Sequence, residues 1–202
     1  MSGAILPIVE GQSEVQAIPV LLRRLLERLG RSDVLVARPF RVKRTRIDRP
    51  EEIERALEQG TSSRSGVIAI LVILDADDDD PEQIESFLGA RFRAATPLPS
   101  AVVVATRELE AWFLGSKDAL RGVCGIRQNA NAPDRPEEIR GAKERLSRNM
   151  EGRRYLPVTD QPKLAARMDL ERALQRCASF RRLAAALERL LRESSQGASG
   201  TS

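Results

Sequence analysis

The chain has 202 residues, 42% apolar and 31% charged, with a net charge of +4, which suits one core with an elaborated end, since single cores run to about 100 to 200 residues. It contains no histidine, so Ser-His-Asp triads, Cys-His dyads and histidine-ligated metal are excluded, and its two cysteines, Cys124 and Cys177, stand apart with no CxxC partner, which argues against a zinc site or a disulfide framework. No apolar run approaches the ~20 residues needed to cross a bilayer, and no basic signal-peptide front precedes the first apolar segment, so a soluble, cytoplasmic protein without a membrane partner is expected.

Ala4 to Val9 is a short apolar run, followed by Ile18, Leu22, Leu25, Leu26 and Leu29 at helical spacing, which predicts strand, turn and helix. Ser13 and Gln16 have the spacing of a capping box, Pro19 is expected to bend the helix or delay its regular part, and Gly30 to stop it. Val34 to Val42 predicts a second strand with Pro39 near its end. Glu51 to Gln59, preceded by Pro50, predicts a helix, with a loop from Gly60 to Gly66. Val67 to Leu74 (VIAILVIL) is the longest β-branched apolar stretch, as befits a central parallel strand covered on both faces.

Pro81 to Arg93 predicts an amphipathic helix and Ala101 to Thr106 a further strand. Strands alternating with helices imply βαβ units and a parallel α/β sheet of about four strands. Beyond Trp112 and Phe113, expected as core residues, the pattern turns helical: Pro136 to Asn149, Gln161 to Cys177 and Phe180 to Glu193. The expected organisation is therefore a core over residues 1–115, a helical C-terminal extension over 116–193 packed on it, and a disordered tail over 194–202. There is no internal repeat.

Ligands of an open parallel sheet bind beyond the carboxyl ends of its strands. Three acidic groups fall there: Glu10, with Glu14 one helical turn on (EGQSE); Asp75 and Asp77 (LDADDDD); and Glu108 and Glu110 (RELEAW). In extended backbone Asp75 and Asp77 point the same way. Facing Glu10, they would repel one another unless a cation sat between them, and hard oxygen ligands suit Mg2+ or Mn2+. That is the basis of metal-assisted phosphodiester chemistry. Blander readings compete: Asp79 and Asp80 as a solvated turn capping the next helix, Glu14 as an ordinary first-turn acid, and Glu108 and Glu110 as helix N-terminal charges.

These residues carry a resemblance. Glu10-Gly11 after one strand and Asp75-Ala76-Asp77 after another resemble the Toprim motif shared by topoisomerases, bacterial primases and overcoming-lysogenization-defect nucleases, which use it to hold magnesium. Over nearly the whole chain the sequence is similar to the bacterial family called domain of unknown function 4276, through VEGQSE, LDADDD, RELEAWFL, Lys143, TDQPKLAARMDL and ASFRRL. The resemblance implies a Toprim-like sheet and a nuclease-like enzyme of bacterial defence or genome maintenance. Glu10, Asp75 and Asp77 would hold one metal, and Glu14, Asp79, Glu108 and Glu110 would serve a second or activate water. Lys143 would neutralise transition-state charge unless it is a plain surface lysine. A separately encoded ABC-type ATPase is an implied partner; the alternative is a non-catalytic interaction subunit of such a complex.

Arg38, Arg41, Lys43, Arg44, Arg46 and Arg49 form the densest basic stretch. If the second strand neighbours the first, they lie beside the acidic edge, where they either hold a nucleic-acid backbone, DNA or RNA, or form a solvated loop. Only 3% of residues are aromatic, so extensive base stacking is not expected. Gly11 belongs to no GxGxxG or GxxxxGK[ST] pattern, and a nucleotide P-loop is not supported.

Overall fold

The computed structural model describes residues 3–62 and 66–199. In chain order the elements are β1 (Ala4–Val9), α1 (Glu14–Arg28), β2 (Leu35–Val36), β3 (Phe40–Arg41), α2 (Pro50–Ser62), β4 (Val67–Asp75), α3 (Pro81–Ala95) and β5 (Ser100–Ala105). There follow α4 (Glu110–Gly115), α5 (Ala142–Arg148), α6 (Pro157–Arg167), α7 (Leu170–Arg176) and α8 (Ala178–Ser199). The fold is α/β, built on one five-stranded sheet in the order β2-β1-β4-β5, with β3 also pairing β1, and every pairing is parallel.

The expected second strand, Val34 to Val42, is divided. Leu35–Val36 pairs with Ala4 and Ile5, and Phe40–Arg41 with Ile8 and Val9. Pro39 lies in the break, where it has no N–H to offer a ladder. The Val42 N–H returns to Val9 O at 2.9 Å, so the two pieces act as one interrupted edge strand.

Side chains alternate across the sheet with the period of two that a strand imposes. Ile5, Val9, Leu71, Ile73 and Val103 face the layer of α1 and the C-terminal helices. Leu6, Ile8, Ile70, Val72, Leu74 and Val104 face α2 and α3. Each such side chain contributes about 1.5 to 3 kcal/mol by its burial, and β4, buried on both faces, is apolar for that reason.

The C-terminal helices share the first of these layers. Trp112, fully buried, packs its ring on Phe180 with centroids 5.3 Å apart and donates its indole N–H to Ser179 Oγ at 2.8 Å. Several boundaries differ from the sequence expectation. The segment from Pro136 begins with a 3-10 turn, and α5 starts only after Gly141 takes a left-handed φ of 68°. The expected helix from Gln161 to Cys177 is two, α7 being capped separately by Asp169, whose carboxylate accepts the Arg172 N–H. The last helix runs on to Ser199, with the Ser194 and Ser195 hydroxyls bonding back to Leu191 O; residues 200–202 of the expected tail lie outside the described residues. Helix α2 likewise runs past Gln59 to Ser62. Helix α1 starts at Glu14, so Pro19 does not delay it. Cys177 is buried and Cys124 half-buried, both free. Among the described residues no helix is long and apolar enough to cross a membrane.

Candidate functional site

Because every strand runs the same way, β1, β4 and β5 deliver their carboxyl ends to one edge, and a group of acidic residues gathers there. Glu10 leaves β1, Asp75 ends β4, and Glu110 opens α4 after the turn that follows β5. Glu14, Asp75 and Glu110 are buried, Glu110 fully. Asp75 Oδ1 accepts the Leu109 N–H at 2.7 Å.

The turn into α1 is not held by the expected capping box, for Ser13 makes no side-chain cap. Glu14 folds back instead, its Oε2 accepting the N–H groups of Glu10 at 3.2 Å and Gly11 at 3.0 Å. A Cβ on Gly11 would collide with that carboxylate, which is why glycine suits the position. Glu14 thus holds the turn that carries Glu10.

Glu110 is held by residues from the helical part of the chain. Its Oε1 accepts the Tyr155 hydroxyl at 3.1 Å and the Gln161 side-chain amide at 3.0 Å. Its Oε2 accepts no hydrogen bond, and Lys143 Nζ stands 3.9 Å away. Lys143 lies on α5, and its own backbone N–H donates to Glu108 Oε2 at 3.0 Å, so Glu108 locates the helix that carries the lysine.

The electrostatics follow from burying like charges together. Burial, with Glu14 and Asp77 nearby, pushes Glu10 up to about 7. Burial raises Glu14, and Glu110 adds to the rise. Asp75 is raised well above the carboxylate range by burial and by Glu110, Glu14 and Glu10. Glu110 is raised by burial, against the pull of Lys143. Burial alone would lower Lys143, but Glu110, Asp75, Glu108 and Glu14 outweigh it and hold the ammonium charged.

The expectation that Asp75 and Asp77 point the same way is corrected by the backbone. The strand ends at Asp75, and Asp77 turns left-handed with φ 52°, its N–H bonded to the carbonyl of Arg107, itself left-handed at φ 62°. Asp77 is therefore exposed while Asp75 is buried. The rest of the acidic run divides. Asp78 pairs with Arg107 and Arg140, at 3.0 and 2.6 Å, and Asp79 with Arg44 at 3.3 Å. Asp80 caps α3 by accepting the Glu82 N–H, as the blander reading of that residue expects.

Of the basic stretch, Arg41 lies against the site and donates to Glu10 O at 3.1 Å and Gln12 Oε1 at 3.4 Å. Arg44 lowers Glu10 by its charge. Arg46 is engaged by Glu52 instead, and Arg38 and Lys43 are exposed. Arg107 and Arg140, which the sequence did not single out, line with Asp77, Asp78 and Glu108 a cavity of about 150 Å³. Sequence reasoning also missed Tyr155, the chain's one tyrosine, and Gln161, although Gln161 lies inside TDQPKLAARMDL, one of the segments that carry the family resemblance.

A divalent cation fits the chemistry of this edge. The donors are oxygens, like charges are crowded under burial, and Glu10 Oε2 and Glu110 Oε2 are buried without hydrogen-bond partners. As placed, however, no three acidic side chains among the described residues form a finished ligand set. Glu10, Asp75 and Asp77 do meet at one edge, but their shared coordination of one ion is not built in.

Comparison with known proteins gives two matches. The family model for "Domain of unknown function (DUF4276)" matches residues 9–188. Among solved structures, the C-terminal region of the Xanthomonas campestris pv. campestris OLD protein is similar at 13% identity and a TM-score of 0.49, over 96% of each chain. No curated protein sequence matches.

Proposed function

The chain belongs to the DUF4276 family, and we propose that it is a metal-dependent phosphodiesterase acting on nucleic acid, a nuclease with a Toprim-like sheet. The observation that carries this reading is the set of four carboxylates raised together at the carboxyl edge, Glu10, Glu14, Asp75 and Glu110, against one lysine, Lys143. A protein gains nothing in stability by burying such a set, since each desolvated carboxylate costs several kcal/mol unless it is paired. A site that needs a cation explains it.

In this reading Glu10, Asp75 and Asp77 would hold one Mg2+ or Mn2+. Glu14 and Glu110 serve a second, and Asp79 and Glu108 lie at the margin. When bound, the metal would supply Lewis acidity toward a phosphoryl oxygen and a water of lowered pKa. Lys143 stays protonated and places its charge where negative charge develops on the phosphate. Arg41 and Arg44, with Arg107 and Arg140 across the edge, take the flanking backbone phosphates. The test is incubation with Mn2+ and single- and double-stranded DNA and RNA, beside Asp75→Asn: cleavage by wild type alone supports the proposal, and none on any substrate defeats it.

A second reading has its own support. The absence of a finished ligand set among the described residues and the approach of Lys143 to Glu110 suit a non-catalytic subunit that docks a separately encoded ABC-type ATPase. Melting curves with and without Mn2+ separate the two, because a ligand that binds only the folded state raises the midpoint.

A further inference from the structure

Glu110 is the most enclosed acid of the site, and the residues that enclose it come from the far end of the chain. Both hydrogen bonds it accepts fall on one oxygen, from Tyr155 and Gln161, while the other oxygen accepts none and has Lys143 Nζ 3.9 Å away. We propose that Tyr155 and Gln161 are positioning residues: they lock Glu110 Oε1 so that Oε2 is presented as a single, fixed ligand atom for the second divalent cation. This rests on the metal-dependent reading above.

The supports of the two donors are themselves fixed. The Tyr155 N–H donates to Ser147 Oγ at 3.1 Å, on α5. Next to it, the Leu156 N–H donates to Asp160 Oδ2 at 2.8 Å, and Arg153 reaches the same oxygen at 2.6 Å. Asp160 is fully buried, so the turn before α6 is tied to the helix that carries Gln161. Tyr155 and Gln161 are also buried, and water does not compete freely for Glu110. If the only need were to join α4 to α6, a neutral amide or hydroxyl at position 110 would serve without burying a charge. A carboxylate with one oxygen saturated and the other bare, set among the other acids of the edge and facing Lys143, can serve as a metal ligand held by outer residues, whose loss costs roughly 10- to 100-fold in metal affinity.

The experiment uses the full chain and Mn2+ alone, titrated by the loss of free Mn2+ paramagnetic signal. Tyr155→Phe removes only the hydroxyl, and Gln161→Leu keeps the volume. Leu164→Ala, a core change on the same helix, serves as the structural control. We expect Mn2+ affinity to fall about 10- to 100-fold in Tyr155→Phe and Gln161→Leu. Nuclease turnover should recover toward wild type at saturating Mn2+. Leu164→Ala should lower the melting temperature and leave the affinity unchanged. If wild type binds Mn2+ and both variants bind it equally tightly, the positioning role is overturned and the metal reading stands. If wild type binds no Mn2+, both fall.

Discussion

Asp75 carries a double duty: the Oδ1 that accepts the Leu109 N–H at 2.7 Å belongs to the carboxylate at the centre of the acidic edge. Asp75→Asn keeps an acceptor for that N–H and removes the charge. Asp75→Ala removes both, and a buried N–H left without a partner costs about 1 to 3 kcal/mol. In urea unfolding the alanine variant should fall below the asparagine variant by about that amount, while both lose the stabilisation by Mn2+ and all cleavage. Equal stabilities would show that the hydrogen bond to Leu109 contributes nothing.

The raised carboxylates set a pH dependence. Glu10, at about 7 in the folded chain against an ordinary 4.5, keeps a proton between those values that the unfolded chain has lost. Where the folded state binds more protons, stability falls as pH rises. The metal-free protein should therefore melt higher at pH 5 than at pH 8, with most of the loss between about pH 4.5 and 7. Glu10→Gln should flatten its share of that slope, and Mn2+ should reduce the difference. A melting temperature that climbs steadily from pH 5 to 8 would show that burial does not hold the proton on Glu10.

The basic rim divides into residues that face the edge and one that does not. Arg41→Ala and Arg44→Ala should each weaken nucleic-acid binding and reduce the slope of log affinity against log salt by about 0.7 to 0.9 for each phosphate left unneutralised. Arg140→Ala should act likewise, since its guanidinium stands over the cavity beside Asp78. Arg46, held by Glu52, should leave the slope unchanged on substitution. Salt titrations of fluorescence anisotropy on one oligonucleotide compare all four, and an equal effect of Arg46→Ala would reassign the binding face.

How much of this is legible in the sequence depends on how local its cause is. The run from Val67 to Leu74 announces a buried parallel strand by composition alone, and with it the placement of Asp75 at a strand end. The left-handed turn at Asp77 is not announced, since it is stabilised by the carbonyl of Arg107 on the neighbouring strand's exit. The divided edge strand is foreshadowed by Pro39, but where pairing resumes depends on Val9. No periodicity marks Tyr155 and Gln161 as partners of Glu110, because they meet it only where the turn before α6 and α6 itself come against α4.

The separation between those partners also has a consequence in time. Gln161 follows Glu110 by 51 residues, which at roughly 5 to 20 residues per second of synthesis is about 3 to 10 seconds on the ribosome. Throughout that interval the nascent chain has already made its acidic strand ends, yet the donors that aim Glu110 do not exist. A chain released before residue 161 would be expected to carry the carboxylates without the grip that orders them, so Glu110 gains its fixed orientation only after α6 has been made.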